Sequence, residues 1–213
     1  MQQTGLSFPR GTKGSGMERQ RAMTWGKGFT LVELMVTLAV LAVLASIAAP
    51  SFTSLVNSNR LTAASNELVA ALQLARMESV RRNTRVVVCR STDGSTCAGA
   101  GDLWPAWVTF VDTDADSNLD AGETVLRTGS AHASVQVRAS AALTADRLVF
   151  RPDGFARNSA TPNGALLNAT FGVCMPTRRP AENERLVAIG SGSRITTVAR
   201  ARDGACNAAP NSP

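Results

Sequence analysis

From Phe29 to Ala49 the chain reads FTLVELMVTLAVLAVLASIAA, twenty-one residues of which only Thr30, Glu33, Thr37 and Ser46 are polar. As a helix this run is about 31 Å long at ~1.5 Å per residue, the thickness of a bilayer's hydrocarbon core. The flank before it carries Arg10, Lys13, Arg19, Arg21 and Lys27 against the single acid Glu18. Basic residues hold their end of a spanning helix in the cytoplasm, so everything after Pro50 is expected to be exported. A cleaved secretory signal is the alternative, because Ala45-Ser46-Ile47-Ala48-Ala49 offers small residues to a peptidase. Glu33 argues against it. A carboxylate four residues into such a run costs about 2.5–3.5 kcal/mol in lipid unless it is paired, and charges kept there are usually functional. The span holds no cation. A free α-amino group made by cutting just before Phe29 would lie at the same depth on a neighbouring copy.

The residues Lys27-Gly28-Phe29-Thr30-Leu31-Val32-Glu33-Leu34, followed by an apolar helix with Pro50 just past its end, resemble the N-terminal signature of type IV pilins and pseudopilins. The resemblance implies that a prepilin peptidase cuts after Gly28 and that the new N-terminal Phe29 is N-methylated. It also implies that Glu33 pairs with the N-terminal amine of an adjacent subunit during assembly. The leader is longer than the family's usual one, so Met17 or Met23 is an alternative start.

Beyond Pro50 the pattern becomes helical. Leu61, Ala64, Leu68, Leu72 and Ala75 recur at steps of three and four, with Phe52, Leu55 and Val56 opening a similar stripe. Asn59, Arg60, Asn66, Glu67, Gln73, Arg76 and Glu78 make the polar side, and Arg81-Arg82-Asn83 suit a helix C-terminus. Pro50 is expected to kink or loosen a helix that otherwise runs from Phe29 to about Arg82. Strand-like runs follow at 85–89, 107–111, 124–127, 135–137, 148–150, 170–174, 186–189 and 194–198, punctuated by Asp93-Gly94, Asp153-Gly154 and 190–193. A helix followed by many antiparallel strands is an α+β class. The expected organisation is a basic leader (1–28), a transmembrane helix (29–50), an amphipathic stalk helix (51–82) packed on a β-rich head (83–206), and a disordered tail (207–213). The helix, the run Val86-Val87-Val88-Cys89-Arg90-Ser91, the 107–112 strand and Gly122-Glu123-Thr124-Val125-Leu126-Arg127 resemble the GspH/FimT-like minor pseudopilins.

Cys89, Cys97, Cys174 and Cys206 all follow the span, on a side where disulfides persist. Three pairings are open. The favoured one joins Cys89 to Cys97 across the Asp93-Gly94 turn and Cys174 to Cys206 to fasten the last strands. A zinc site is disfavoured, with no close Cys pair and no nearby His.

Asp112, Asp114, Asp116, Asn118, Asp120 and Glu123 fall at positions one, three, five, seven, nine and twelve of a loop, the spacing of an EF-hand. Ser117 stands where that loop takes glycine and the flanks read as strands, so a solvated acidic hairpin is favoured and calcium is the alternative. In FimT-like proteins that bind DNA, the resemblance points to a Gly-Arg-x-Arg motif near the C-terminus. Here Gly192-Ser193-Arg194 breaks it, leaving Arg194, Arg200 and Arg202 as candidate phosphate contacts beside the plainer reading of solvated arginines. His132 is the only histidine, among small residues, and no nucleophile elbow or phosphate-cradling loop appears; no catalysis and no cofactor are expected.

The expected protein is a non-catalytic minor pseudopilin of a type II secretion system that helps prime or cap the periplasmic pseudopilus. It would cross the inner membrane once with its head in the periplasm, with other pilin or pseudopilin subunits and the prepilin peptidase as partners. The alternative is a FimT-like minor type IV pilin at a pilus tip, acting in fibre assembly and DNA uptake.

Overall fold

The computed structural model describes residues 28–158, 165–190 and 192–212. The leader and its alternative starts lie outside the described residues. The chain divides into two compact units, one up to Leu44 and one from Ala45 onward. Helix α1 is continuous from Leu31 to Arg82, Pro50 included. Pro50 takes one backbone donor out of the ladder but does not end the helix.

Every described residue from 28 to 48 is exposed. In the second unit the helix buries Leu61, Ala64, Leu68, Leu72 and Ala75, the three-four stripe read from the sequence, together with Ala71. Fully burying each leucine stabilises by about 1.5–3 kcal/mol. Of the similar stripe expected to open at Phe52, Leu55 and Val56, Phe52 and Leu55 stay exposed and Val56 is half-buried, while on another side of the helix Asn57 Nδ2 donates to the Arg179 carbonyl at 2.8 Å.

The helix ends on Asn83 in the left-handed region (φ 52°). Thr84 N–H donates to the Ser79 carbonyl at 3.2 Å and Asn83 N–H to that of Val80 at 3.3 Å. These are the two bonds of a Schellman cap, and asparagine tolerates the positive φ they need. The same turn delivers the chain into β1.

Two antiparallel sheets follow. The first has the order β3-β2-β1-β5-β6, built from β1 (Arg85–Ser91), β2 (Ala106–Asp112), β3 (Thr124–Ser130), β5 (Arg147–Phe150) and β6 (Ala156–Asn158). The second is β4-β7-β8-β9, from β4 (Gln136–Ala139), β7 (Ala169–Cys174), β8 (Glu184–Ile189) and β9 (Ile195–Arg200). Alternation sorts the side chains. Val86, Val88, Trp107, Leu148 and Phe150 join the helix and the second sheet's Phe171, Val173, Val187 and Ile189 in the main core. Val87, Cys89, Val108, Phe110 and Val149 form a smaller core on the first sheet's other face, covered by Cys97 and Leu119. Both faces being covered, β2 is buried along its whole length. Trp104 meets Phe171 edge-on at 5.1 Å, tying the two sheets together.

The tail corrects an expectation. Residues 207–212 are not loose: Ala209 is buried, near enough to Gly172 that a Cβ there would touch it, and the Pro210 carbonyl accepts a hydrogen bond from Thr170 Oγ1. The cause is the outward face of the second sheet, where Thr170, Gly172, Cys174 and Glu184 need covering and Cys206 is bonded to Cys174.

Candidate functional site

Thr30 begins the helix. Its Oγ1 accepts from Glu33 N–H at 3.1 Å, and its carbonyl accepts from Leu34 N–H at 3.1 Å. Thr-x-x-Glu is capping-box spacing, so Glu33 lies in the first turn, where the helix dipole favours a negative charge. This local role was missed in reading the sequence, although the spacing signals it. Phe29, just outside the helix, is 74% exposed, and Gly28 has open space around it.

The cysteines form two disulfides, Cys89–Cys97 and Cys174–Cys206. Inside the first loop Asp93 Oδ1 accepts from the amides of Ser95 and Thr96 and from Ser91 Oγ, all at 2.9 Å, and Oδ2 from the hydroxyls of Ser95 (2.8 Å) and Thr96 (2.9 Å). Donors aimed at a carboxylate favour its charged form and hold Asp93 far below the usual range. Gly94 takes φ +76° at this turn, with no side chain to resist it.

The acidic loop joins β2 to β3. Asp112 is 1% exposed and ion-paired to Arg85 Nε at 3.2 Å. Burial raises its pKa against the opposing pull of Arg85. Arg85 also donates to the Ala115 carbonyl (2.7 Å) and to Ser117 Oγ (2.8 Å), stitching the loop to β1. Ser117 adopts φ +67°, the left-handed turn for which glycine is the usual residue. Asp116 accepts from the amide (2.6 Å) and Nδ2 (2.8 Å) of Asn118, which lower its value. Asp120 is raised, first by the like charge of Asp116. Glu123 is turned inward on the loop, accepting from Thr113 N–H at 2.8 Å and Asp120 N–H at 3.2 Å.

Among these features the N-terminal motif and the head can both be set beside known proteins. Residues 27–49 match the prokaryotic N-terminal methylation motif, and residues 64–193 match the family of type II transport protein GspH. The chain belongs to the GspH family. No curated protein sequence matches it. Two crystal structures of the type IV minor pilin FimU of Pseudomonas aeruginosa (strain PAO1) are similar at 19% and 21% identity, with TM-scores of 0.43 and 0.44. They cover 64% and 65% of this chain and 91% and 88% of their own. The minor pseudopilin EpsH from the type 2 secretion system of Vibrio cholerae is similar at 11% identity and TM-score 0.41, covering 62% of this chain and 96% of its own. Among the described residues one helix is long and apolar enough to cross a membrane, and the methylation motif covers its N-terminal part.

In this GspH-family head the three candidate arginines do not converge. Arg194 lies at one end of β9, beside Gln73, Arg76 and Met77. Arg200 ends the strand, about 20 Å away at ~3.3 Å per residue. Arg202 is engaged elsewhere, with Nε donating to the buried Glu184 carboxylate at 2.8 Å. The sequence showed the charges but could not show Glu184 being drawn beneath Arg202, since that pairing depends on β8–β9 register. His132 is exposed, its Nδ1 accepting from Ser134 N–H at 3.1 Å.

Proposed function

We propose that this chain is a minor pseudopilin of a type II secretion system, a structural subunit that helps prime or cap the pseudopilus. It is made with a basic leader, cut after Gly28 by a prepilin peptidase and methylated on Phe29. Residues 29–50 anchor it once in the inner membrane, with the head in the periplasm. The carrying observation is the pairing of a methylation motif over 27–49 with an apolar helix whose described residues up to 48 are all exposed. Such a surface needs lipid or the equivalent helices of other subunits around it. Membership in the type II transport protein GspH family supports the choice of machine.

Glu33 follows from the same reading. In a helix surrounded by apolar neighbours its carboxylate needs a cation, and the methylated amine of another subunit's Phe29 supplies one at matching depth. Mass spectrometry of the mature protein tests the processing directly. The expected N-terminus is N-methylphenylalanine at position 29, absent when the peptidase is deleted; a retained leader overturns the proposal. Deleting the gene tests the machine, with secreted enzymes expected to accumulate in the periplasm. Intact secretion with lost surface pili would assign the subunit to a type IV pilus instead.

A further inference from the structure

We propose that the β2–β3 loop binds one calcium ion through the carboxylates of Asp112, Asp114 and Asp116, with Asp120 contributing further negative charge. One oxygen from each of the three lies within 4.8 Å of the others. Calcium holds its oxygens at about 2.3–2.6 Å, so ligands across one ion stand up to roughly 5 Å apart, the span found here. The donors are all hard oxygens, which suit calcium and not zinc or copper.

A cluster of exposed acids would mean little by itself. The independent observation is Asp112, which is buried, with neither carboxylate oxygen accepting a hydrogen bond of good geometry among the described residues. The backbone amides of Ser117 and Ala115 also approach its carboxylate. Arg85 Nε meets Oδ2, and its other two nitrogens donate to Ala115 and Ser117. Oδ1 is thus a buried acceptor that no donor meets at good hydrogen-bond geometry among the described residues, grouped with two further carboxylates. Structures rarely leave such an atom unsatisfied unless a ligand, ion or water completes it.

Charge points the same way. Asp112, Asp114, Asp116, Asp120 and Glu123 face two guanidiniums, Arg85 and Arg147, the second donating to Asn118 Oδ1 at 2.7 Å. A divalent cation relieves the repulsion that remains. Glu123 is not among the ligands, because its oxygens are spent on the loop's own amides. The site therefore departs from an EF-hand, in which the twelfth residue is a bidentate ligand. The ion would fasten the β2–β3 connection, whichever machine the subunit serves.

The test uses the full-length chain in detergent micelles, stripped of metal with a chelator and titrated with calcium chloride by calorimetry. Saturable binding of one ion is expected, with Kd about 10⁻⁴–10⁻³ M, the range of exported calcium modules. Calcium should also raise the thermal midpoint. The double variant Asp114→Asn/Asp116→Asn changes exposed side chains and should keep the native circular dichroism spectrum while losing affinity by about 100-fold or more. Asp102→Asn, outside the loop, should bind as the wild type does. The proposal is overturned by an absence of saturable heat up to roughly 10 mM calcium. It is equally overturned by unchanged affinity in the double variant, or by magnesium binding as tightly as calcium.

Discussion

The carboxylate of Glu184, 1% exposed at the start of β8, is held by the guanidinium of Arg202 at 2.8 Å. The pair clamps the segment after β9 onto the second sheet. The neighbouring Asn183 reinforces it, its Oδ1 accepting from Arg202 N–H at 2.8 Å and its Nδ2 donating to the Met175 carbonyl at 3.0 Å. Breaking a buried pair costs more than the pair contributes, because one charge is left stranded. Arg202→Ala is expected to lower unfolding free energy by about 2–3 kcal/mol, short of the fully buried case because the arginine keeps some access to water. Glu184→Gln/Arg202→Met should recover most of that loss. Urea unfolding of the three variants measures it, and a double variant as weak as Arg202→Ala would refute the stranded-charge account.

Glu67 and Arg127 offer the opposite case. Arg127 donates from Nε and Nη2 to both Glu67 oxygens at 2.9–3.1 Å, joining the helix to the edge strand β3. Both side chains are more than a third exposed. Water already solvates such partners, so Arg127→Ala should cost no more than about 1 kcal/mol. A double-mutant cycle with Glu67→Ala, run at low and high salt, should give a coupling energy that shrinks as salt is added.

The Cys174–Cys206 bond closes the larger covalent loop and carries the tail with it. Replacing both cysteines with serine should destabilise the head by about 2–4 kcal/mol. It should also free residues 207–212, which then become open to carboxypeptidase. A destabilised head whose tail stays protected would show that Thr170 and Ala209 hold the segment without help.

Stability should depend on acid through Asp93. Its carboxyl is held below the ordinary value of 3.8 by the donors of Ser95, Thr96 and Ser91. The unfolded chain therefore binds its proton first as pH falls. The contribution is fully present above pH 3.8 and is lost as pH drops through the depressed folded value. Thermal midpoints of wild type and Asp93→Ala should thus differ most near neutrality and converge in strong acid. A difference that widened on acidification would contradict the sign.

The periodic parts of this fold were legible in the sequence. Leu61, Ala64, Leu68, Leu72 and Ala75 repeat with the helix, and Val86-Val87-Val88-Cys89 alternates between two cores, so either pattern shows its period without any partner in view. Strand β6 was missed because three residues, Ala156–Asn158, give too short a run to display a period, and its place is set by Phe150 and Leu148 across the ladder. The tail was misjudged for a related reason. Nothing local in Ala208-Ala209-Pro210 marks it as a lid; it is ordered by the surface beneath it. At the sites, the motif around Gly28, Phe29 and Glu33 is contiguous and could be read directly. The separation of Arg194 from Arg202 arises from strand length and register, which composition does not encode.

The chain visits the first sheet for three strands, crosses to lay down β4 in the second, returns for β5 and β6, and crosses again. A fragment stopped after Ser130 would therefore lack β5, one of the two neighbours of β1, and one begun at Ala169 would lack β4, one of the two neighbours of β7. Neither half is a folding unit. Serial deletions meant to assign tasks to portions of the head will instead all report collapse of the whole, and point substitutions are the instrument that can tell its surfaces apart.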